Sequence, residues 1–178
     1  PEDFIRVAAL VCQRMPAAKC VLAGDGALRP QIEAMIQAQG LQDRVSLLGW
    51  RRDVASLLKA FDVFVLTSQW EGLPCAILEA RASRIPIVAT RVGGSAEAII
   101  EGIQGTLCPA GDVKAMASRV CQILGDERLR ADLRNGAHEL PEEFTIQETI
   151  KQYHSLYTYL LHATRPAEDV MKLQPNRL

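Results

Sequence analysis

The chain lacks most of what would mark a specialised class of protein. No apolar run approaches the roughly 18 residues of a membrane span, and the N-terminus carries no leader pattern. Neither sign of charge is in excess: 20 Lys and Arg face 21 Asp and Glu, for a net charge of −1. A non-specific nucleic-acid binder needs a basic stripe, and a polybasic membrane anchor needs a basic cluster, so neither is expected. The 5 cysteines are an odd number at irregular spacing, with no C-x-x-C pair and no zinc-finger pattern. Cys12, Cys20, Cys108 and Cys121 sit among apolar neighbours, so reduced thiols packed as small core residues are expected. His138, His154 and His162 form no H-E-x-x-H pattern, which argues against a metal role for them. Internal repeats and low-complexity segments are absent too.

What is present is the composition of a soluble, intracellular globular domain, 48% apolar and 23% charged. With 178 residues the chain can bury about 70% of its unfolded surface, enough for one core without staples. It opens at Pro1 rather than at a methionine, so a fragment or a processed product is expected. Short apolar runs alternate with amphipathic ones. Helical spacing over Glu2 to Met15 is followed by an apolar run, Lys19 to Ala23, broken at Gly24-Asp25-Gly26. Helices are predicted over Leu28 to Gln39, from a cap at Asp53 to Ala60, and over Pro74 to Arg84, Ser95 to Glu101, Val113 to Leu124 and Glu127 to Leu140. Strands are predicted over Arg44 to Leu48, Asp62 to Thr67, Ile85 to Thr90 and Gly105 to Cys108. A long last helix starts at Thr145, whose Glu148 three positions on suits a reciprocal capping box. One domain over residues 1–163 is expected, followed by a poorly ordered tail over 164–178.

Such alternation means an α/β domain with a doubly wound, Rossmann-like parallel sheet. Ligands of that architecture bind beyond the carboxyl ends of the strands. The unusual residues lie there, in Ser68-Gln69-Trp70-Glu71-Gly72-Leu73-Pro74-Cys75-Ala76-Ile77-Leu78-Glu79-Ala80. Pro74 suits the first helical position, Leu73 before it cannot cap with its side chain, and Ala76 offers no acceptor. The first amides of that helix therefore have no obvious local partner and suit an anion such as a diphosphate, unless Ser68 or water satisfies them. Glu71 and Glu79 flank the helix start. Both can accept hydrogen bonds from sugar or ribose hydroxyls; alternatively Glu79 pairs with Arg81, Arg84 or Arg91 and Glu71 is solvated.

The spacing Glu71-x7-Glu79 resembles the E-x7-E motif of retaining glycosyltransferases of the GT-B fold, in the large family 4 group. The flanks agree: D-V-F-V-L-T-S before it, P-I-V-A-T-R-V-G-G-S-A-E-A-I-I-E-G and G-T-L-C-P-A-G-D after it, V-L-A-G-D-G and V-S-L-L-G-W-R-R-D-V upstream. The similarity covers roughly residues 2 to 160, with all blocks in order. The resemblance implies the donor-binding, C-terminal half of a GT-B enzyme that transfers a hexose from a nucleotide sugar, commonly UDP-linked, to a glycan or lipid-linked acceptor. It implies that Glu71 is the catalytic carboxylate contacting donor-sugar hydroxyls and that Glu79 accepts from the ribose. Gly72, Leu73, Pro74 and Cys75 would line the donor sugar and diphosphate, Trp50 and Arg51 would border the base, and Gly24 and Gly26 would let the turn approach the nucleotide. No metal or other cofactor is implied, and no D-x-D occurs. Retention is ascribed in this family to a front-face reaction in which the leaving diphosphate takes the acceptor's proton and cations stabilise its charge.

The chain departs from the family in three respects. By the resemblance, the family's first strand, with its phosphate-binding Arg and Lys, and its N-terminal acceptor domain are expected to be missing from this stretch of sequence, so the fragment alone is expected to be inactive. The last helix, around Gln147 to Leu161, would normally cross back to that domain. Without the central first strand, either the strands at Lys19–Ala23 and Asp62–Thr67 pair directly or a slot stands open, through which a homodimer is expected to form. Ser83-Arg84 stands where the family prefers a small residue and glycine. A cytoplasmic location is expected, with the parent protein peripheral to the inner face of the membrane. Other readings are a nucleotide-binding module without transfer activity and a sugar-nucleotide epimerase-like domain. An NAD-binding domain is weaker, because Arg29 occupies the position of the third glycine of G-x-G-x-x-G.

Overall fold

The structure, a computed structural model, describes residues 1–136 and 142–162, the side chain of residue 162 excepted. It is an α/β fold. In chain order the elements are α1 (Glu2–Arg14), β1 (Cys20–Ala23), α2 (Arg29–Ala38), β2 (Val45–Gly49), α3 (Val54–Lys59), β3 (Phe64–Leu66) and α4 (Cys75–Ala82). They continue with β4 (Ile87–Thr90), α5 (Ser95–Ala98), β5 (Gly105–Cys108), α6 (Val113–Gly125), α7 (Glu127–Gly136), a 3₁₀ turn (Glu142–Phe144) and α8 (Ile146–His162). The chain divides into two compact units, Pro1–Glu139 and Leu140–Leu178. The tail expected over 164–178 lies outside the described residues, as does His138.

All ladders are parallel, but the expected single sheet is in two pieces. β1 pairs with β2, and β3, β4 and β5 pair in that order. β1 and β3 share no ladder, so the direct pairing of these two strands, one of the two arrangements expected, is not formed. The burial pattern reports the same division. β4 has a neighbour on each side and all four of its residues are buried, whereas β3, whose segment reads as a buried strand in the sequence, is only half-buried along its length. A parallel strand shielded on both faces and both edges excludes water; one with a free edge does not.

One helix spans the division. Val7 and Val11 of α1 pack with Val88, Cys108, Met116, Ala117 and Val120, while Ile5 and Ala8 of the same helix pack with Ile32, Ile36, Leu41 and Val45. A third cluster, centred on Ile77, Ala80, Ile87 and Ala98, lies between α4, α5 and the second sheet. Each fully buried aliphatic side chain in these clusters contributes about 1.5–3 kcal/mol relative to exposure. α6 begins as its sequence suggests, with Asp112 accepting from the Ala115 amide at 2.9 Å. All five cysteines are free. Cys20, which packs against the same cluster as Cys12, has its thiol pushed up to about 12 by burial first and by Cys12 second, which keeps it protonated and unreactive.

Two caps differ from expectation. Asp53 does stand at the N-cap of α3, but its carboxylate turns back to Arg51 instead of capping the helix. Thr145 accepts from the Glu148 amide at 3.2 Å, yet Glu148 does not return the bond; its carboxylate accepts from Lys151 and Gln152. In both cases a nearby cation or amide offers the carboxylate a better donor than a lone backbone N–H.

Candidate functional site

The stretch after β3 is held by the loop after β4. Gly94 donates its N–H to the Gly72 carbonyl at 2.7 Å. A Cβ at Gly93 would lie 1.8 Å from the Glu71 carbonyl oxygen, and one at Gly94 would lie 2.1 Å from that of Gly72. Only two residues without side chains allow the loops to meet this closely. Gly93 also takes a positive φ of 43°. These two glycines and Thr90 are site-building residues that sequence reasoning missed. The signal was there, since a Gly-Gly pair directly follows the strand.

Within this clamp the side chains are ordered by hydrogen bonds. The Thr90 hydroxyl, 1% exposed, donates to the Ser68 carbonyl at 2.6 Å. The Ser68 hydroxyl donates to Glu71 Oε1 at 2.7 Å. Ser68 is therefore committed to a carboxylate and does not cap the following helix, the alternative left open by the sequence. That helix begins one residue later than predicted: Pro74 is the N-cap, with φ −74° and ψ 101°, and α4 starts at Cys75. No side chain caps it. The amides of Ile77 and Leu78 reach the Pro74 carbonyl, leaving those of Cys75 and Ala76 at the positive end of the helix. Leu73 and Cys75 are exposed beside them, Pro74 is buried, and a Cβ at Gly72 would meet nothing within 4 Å.

Glu79, predicted on a mostly apolar helix, is exposed, and among the described residues its carboxylate has no hydrogen-bond or ion-pair partner. The pairing with arginine that could have explained it does not occur. Arg81 is buried and donates to the Ala98 carbonyl at 2.7 Å, and Arg91 pairs with Glu101. Arg84 closes α4 instead. Its N–H reaches the Arg81 carbonyl, the Ile85 N–H reaches that of Ala80, and Arg84 takes a φ of 56°. It is the left-handed residue of a helix-terminating turn, a place that glycine fills without strain.

The remaining predicted residues stand at the carboxyl ends of β1 and β2. Gly24 has a φ of 135° and donates to the Gly49 carbonyl at 2.8 Å; added Cβ atoms at Gly24 and Gly26 would meet nothing within 4 Å. That open space is what a closely approaching ligand requires. Trp50 is 68% exposed, with the Arg52 guanidinium 5.2 Å from its ring centre. Arg51 grips Asp53 through two nitrogens, at 2.7 and 2.5 Å, and the Asp53 carboxyl is held below its ordinary range chiefly by that hydrogen bond. A cleft of about 640 Å³ runs between β1 and β3, lined by Leu22, Leu66, Ser68, Trp70 and the first turn of α1. Glu71 and Glu79 do not line it. Among the described residues, no three His, Cys, Asp or Glu side chains cluster as a metal ion would need, and no helix is long and apolar enough to cross a membrane.

Residues 1–140 match the family model of glycosyl transferases group 1. The chain is 34% identical over 157 residues to the N-acetyl-alpha-D-glucosaminyl L-malate synthase of Bacillus anthracis, covering 88% of this chain and 41% of that protein. It is 31% identical over 144 residues to a UDP-Gal:alpha-D-GlcNAc-diphosphoundecaprenol alpha-1,3-galactosyltransferase of Escherichia coli, covering 80% and 37%. The chain thus spans about two fifths of the length of these relatives. Its fold is similar to that of a point mutant of S. aureus TarM, solved with UDP among its ligands, at a TM-score of 0.83 and 26% identity over 88% of this chain and 32% of that one. It is also similar to Anabaena Alr3699/HepE in complex with UDP, at a TM-score of 0.76 and 27% identity over 88% and 44%. Together with the clamped acidic loop and the uncapped helix behind it, these similarities show that the chain belongs to the glycosyl transferases group 1 family.

Proposed function

We propose that this chain is the nucleotide-sugar-binding domain of a retaining, family 4 glycosyltransferase that moves a hexose onto a glycan or lipid-linked acceptor. The observation that carries the reading is the start of α4, uncapped and flanked by two carboxylates, Glu71 and Glu79, that form no ion pair among the described residues. Free amides there suit a diphosphate, and the accepting oxygens left open on Glu79 and on Glu71, whose Oε1 alone is taken by Ser68, suit hydroxyls. Glu71 accepts from the donor sugar and is the catalytic carboxylate of the proposal; Glu79 accepts from the ribose. Gly72, Leu73, Pro74 and Cys75 form the wall toward the sugar and diphosphate. Gly24, Gly26, Trp50 and Arg51 border the nucleoside, with the open space at the two glycines as support. The UDP in the complexes of TarM and HepE, and the UDP-Gal in the name of the E. coli relative, support a UDP-linked donor. The reaction needs no metal in this reading, and the leaving diphosphate accepts the acceptor's proton.

Titrating the chain with UDP, GDP, ADP, UDP-glucose and NAD in a thermal-shift assay tests the proposal. A ligand at about 100 times its dissociation constant stabilises by roughly 2.7 kcal/mol. A shift with UDP and UDP-glucose that disappears in Glu79→Ala is the expected outcome; a response to NAD alone, or none at all, would refute donor binding by this chain. The gap between β1 and β3 is also proposed to hold two copies together, since unpaired parallel edges recruit further chain. A strictly monomeric sedimentation profile at micromolar concentration would remove that part. A second reading, a nucleotide-binding module without transfer activity, is favoured by one observation. Two of the three arginines that follow the acidic loop up to the end of β4, Arg81 and Arg91, are already committed to Ala98 and Glu101 and do not await a phosphate. Transfer activity of the parent protein with a nucleotide-sugar donor separates the two.

A further inference from the structure

We propose that Ser68 is a positioning residue for Glu71: its hydroxyl holds one carboxylate oxygen so that the other faces the donor sugar in a set direction. The inference rests on the donor-binding reading and deepens it. A glutamate on a surface loop has several soft torsions, and pinning one oxygen removes most of that freedom. Here the pin is an O–H···O⁻ bond of 2.7 Å from Ser68 to Oε1, a charge-assisted bond of the strong class. Among the described residues no other group hydrogen-bonds to that carboxylate and no cation pairs with it, so Oε2 keeps its accepting capacity.

A pin is useful only if its base is fixed. The Ser68 backbone is tied to β4 by the buried Thr90 hydroxyl at 2.6 Å. The Glu71 backbone is wedged against Gly93, and its neighbour Gly72 is bonded to Gly94. Both ends of the four-residue loop from Ser68 to Glu71 are thus anchored to the same strand and its following turn. The side-chain bond then closes a rigid ring across that loop. Removing the Ser68 hydroxyl leaves every backbone anchor in place and frees only the carboxylate.

The test is isothermal titration of the chain with UDP and, separately, with UDP-glucose. In Ser68→Ala, UDP-glucose is expected to bind on the order of tenfold more weakly, with UDP unchanged because it lacks the sugar that Glu71 contacts. Ser68→Thr, which keeps the hydroxyl, should restore the preference for the sugar nucleotide. Equal weakening of both ligands in Ser68→Ala would mean a merely structural role and would overturn the proposal, as would unchanged binding of both. If the unmodified chain binds neither ligand, the donor-binding reading is what fails. Positioning is then read without ligand, from ¹³C relaxation of the Glu71 side chain. Its order should fall in Ser68→Ala and persist in Ser68→Thr, and unchanged order in Ser68→Ala would refute the pin.

Discussion

The two sheets carry their loops in different ways. Beyond β3 and β4 the backbone itself is interlocked: two glycines with no room for a side chain hold Glu71 and Gly72, and a buried threonine anchors Ser68. Beyond β1 and β2 the backbones meet at one hydrogen bond, from Gly24 to Gly49, and the loops further out are held at the surface by charge, through the Asp25–Arg29–Glu33 ladder and the Arg51–Asp53 pair. Exposed ion pairs contribute little and weaken with salt. Interlocked backbone can be displaced only by moving a strand. The difference suits the proposed donor site, in which the carboxylates would meet hydroxyls on one side and the other side would adapt to a flat ring.

The sharpest way to break this contrast is to place the same methyl group on both sides. Gly93→Ala or Gly94→Ala drives a Cβ into a carbonyl oxygen at 1.8 or 2.1 Å and should cost about 3 kcal/mol in urea denaturation. Gly26→Ala meets nothing within 4 Å and should stay within about 0.5 kcal/mol. Equal effects at the two places would show that the clamp is not real. A smaller effect of opposite sign is expected at the end of α4. Arg84→Gly relieves a left-handed backbone at φ 56° and should raise stability by up to about 1 kcal/mol, read from the same denaturation curves. The smallest effect concerns pH. Arg51 lowers the Asp53 carboxyl below its ordinary 3.8, so the pair's contribution is complete above that value and is lost as pH falls through the lower folded value. In Arg51→Leu that acid-side loss should flatten, and salt at about 1 M should flatten it in the unmodified chain.

Much of this was readable from local pattern. Every predicted strand exists, and most helix ends moved by one or two residues, as at Pro74, where a ψ of 101° makes the proline a cap rather than a first helical residue. The acidic segment could be located because strand, loop and uncapped helix follow one another in the chain. What misled was the choice among partners. Ser68, one of the partners left open for the helix amides, serves a carboxylate; the arginine pairing left open for Glu79 does not form; and Asp53 and Glu148, expected at backbone amides, meet cations or a side-chain amide. A polar side chain has several partners within reach, and packing selects among them.

The sequence by itself determined the alternation of strands and helices, the place of the acidic segment and the family. The first two depend on periodicity and turn chemistry, which neighbouring residues settle among themselves, and the family rests on the ordered blocks of residues around Glu71 and Glu79. Only the tertiary structure decided that the sheet is divided, that α1 spans the division, and that residues 71 and 93 meet with no space for a side chain. Those depend on which strands lie side by side. Strand order is set by the packing of segments far apart in the chain, and no local pattern records it.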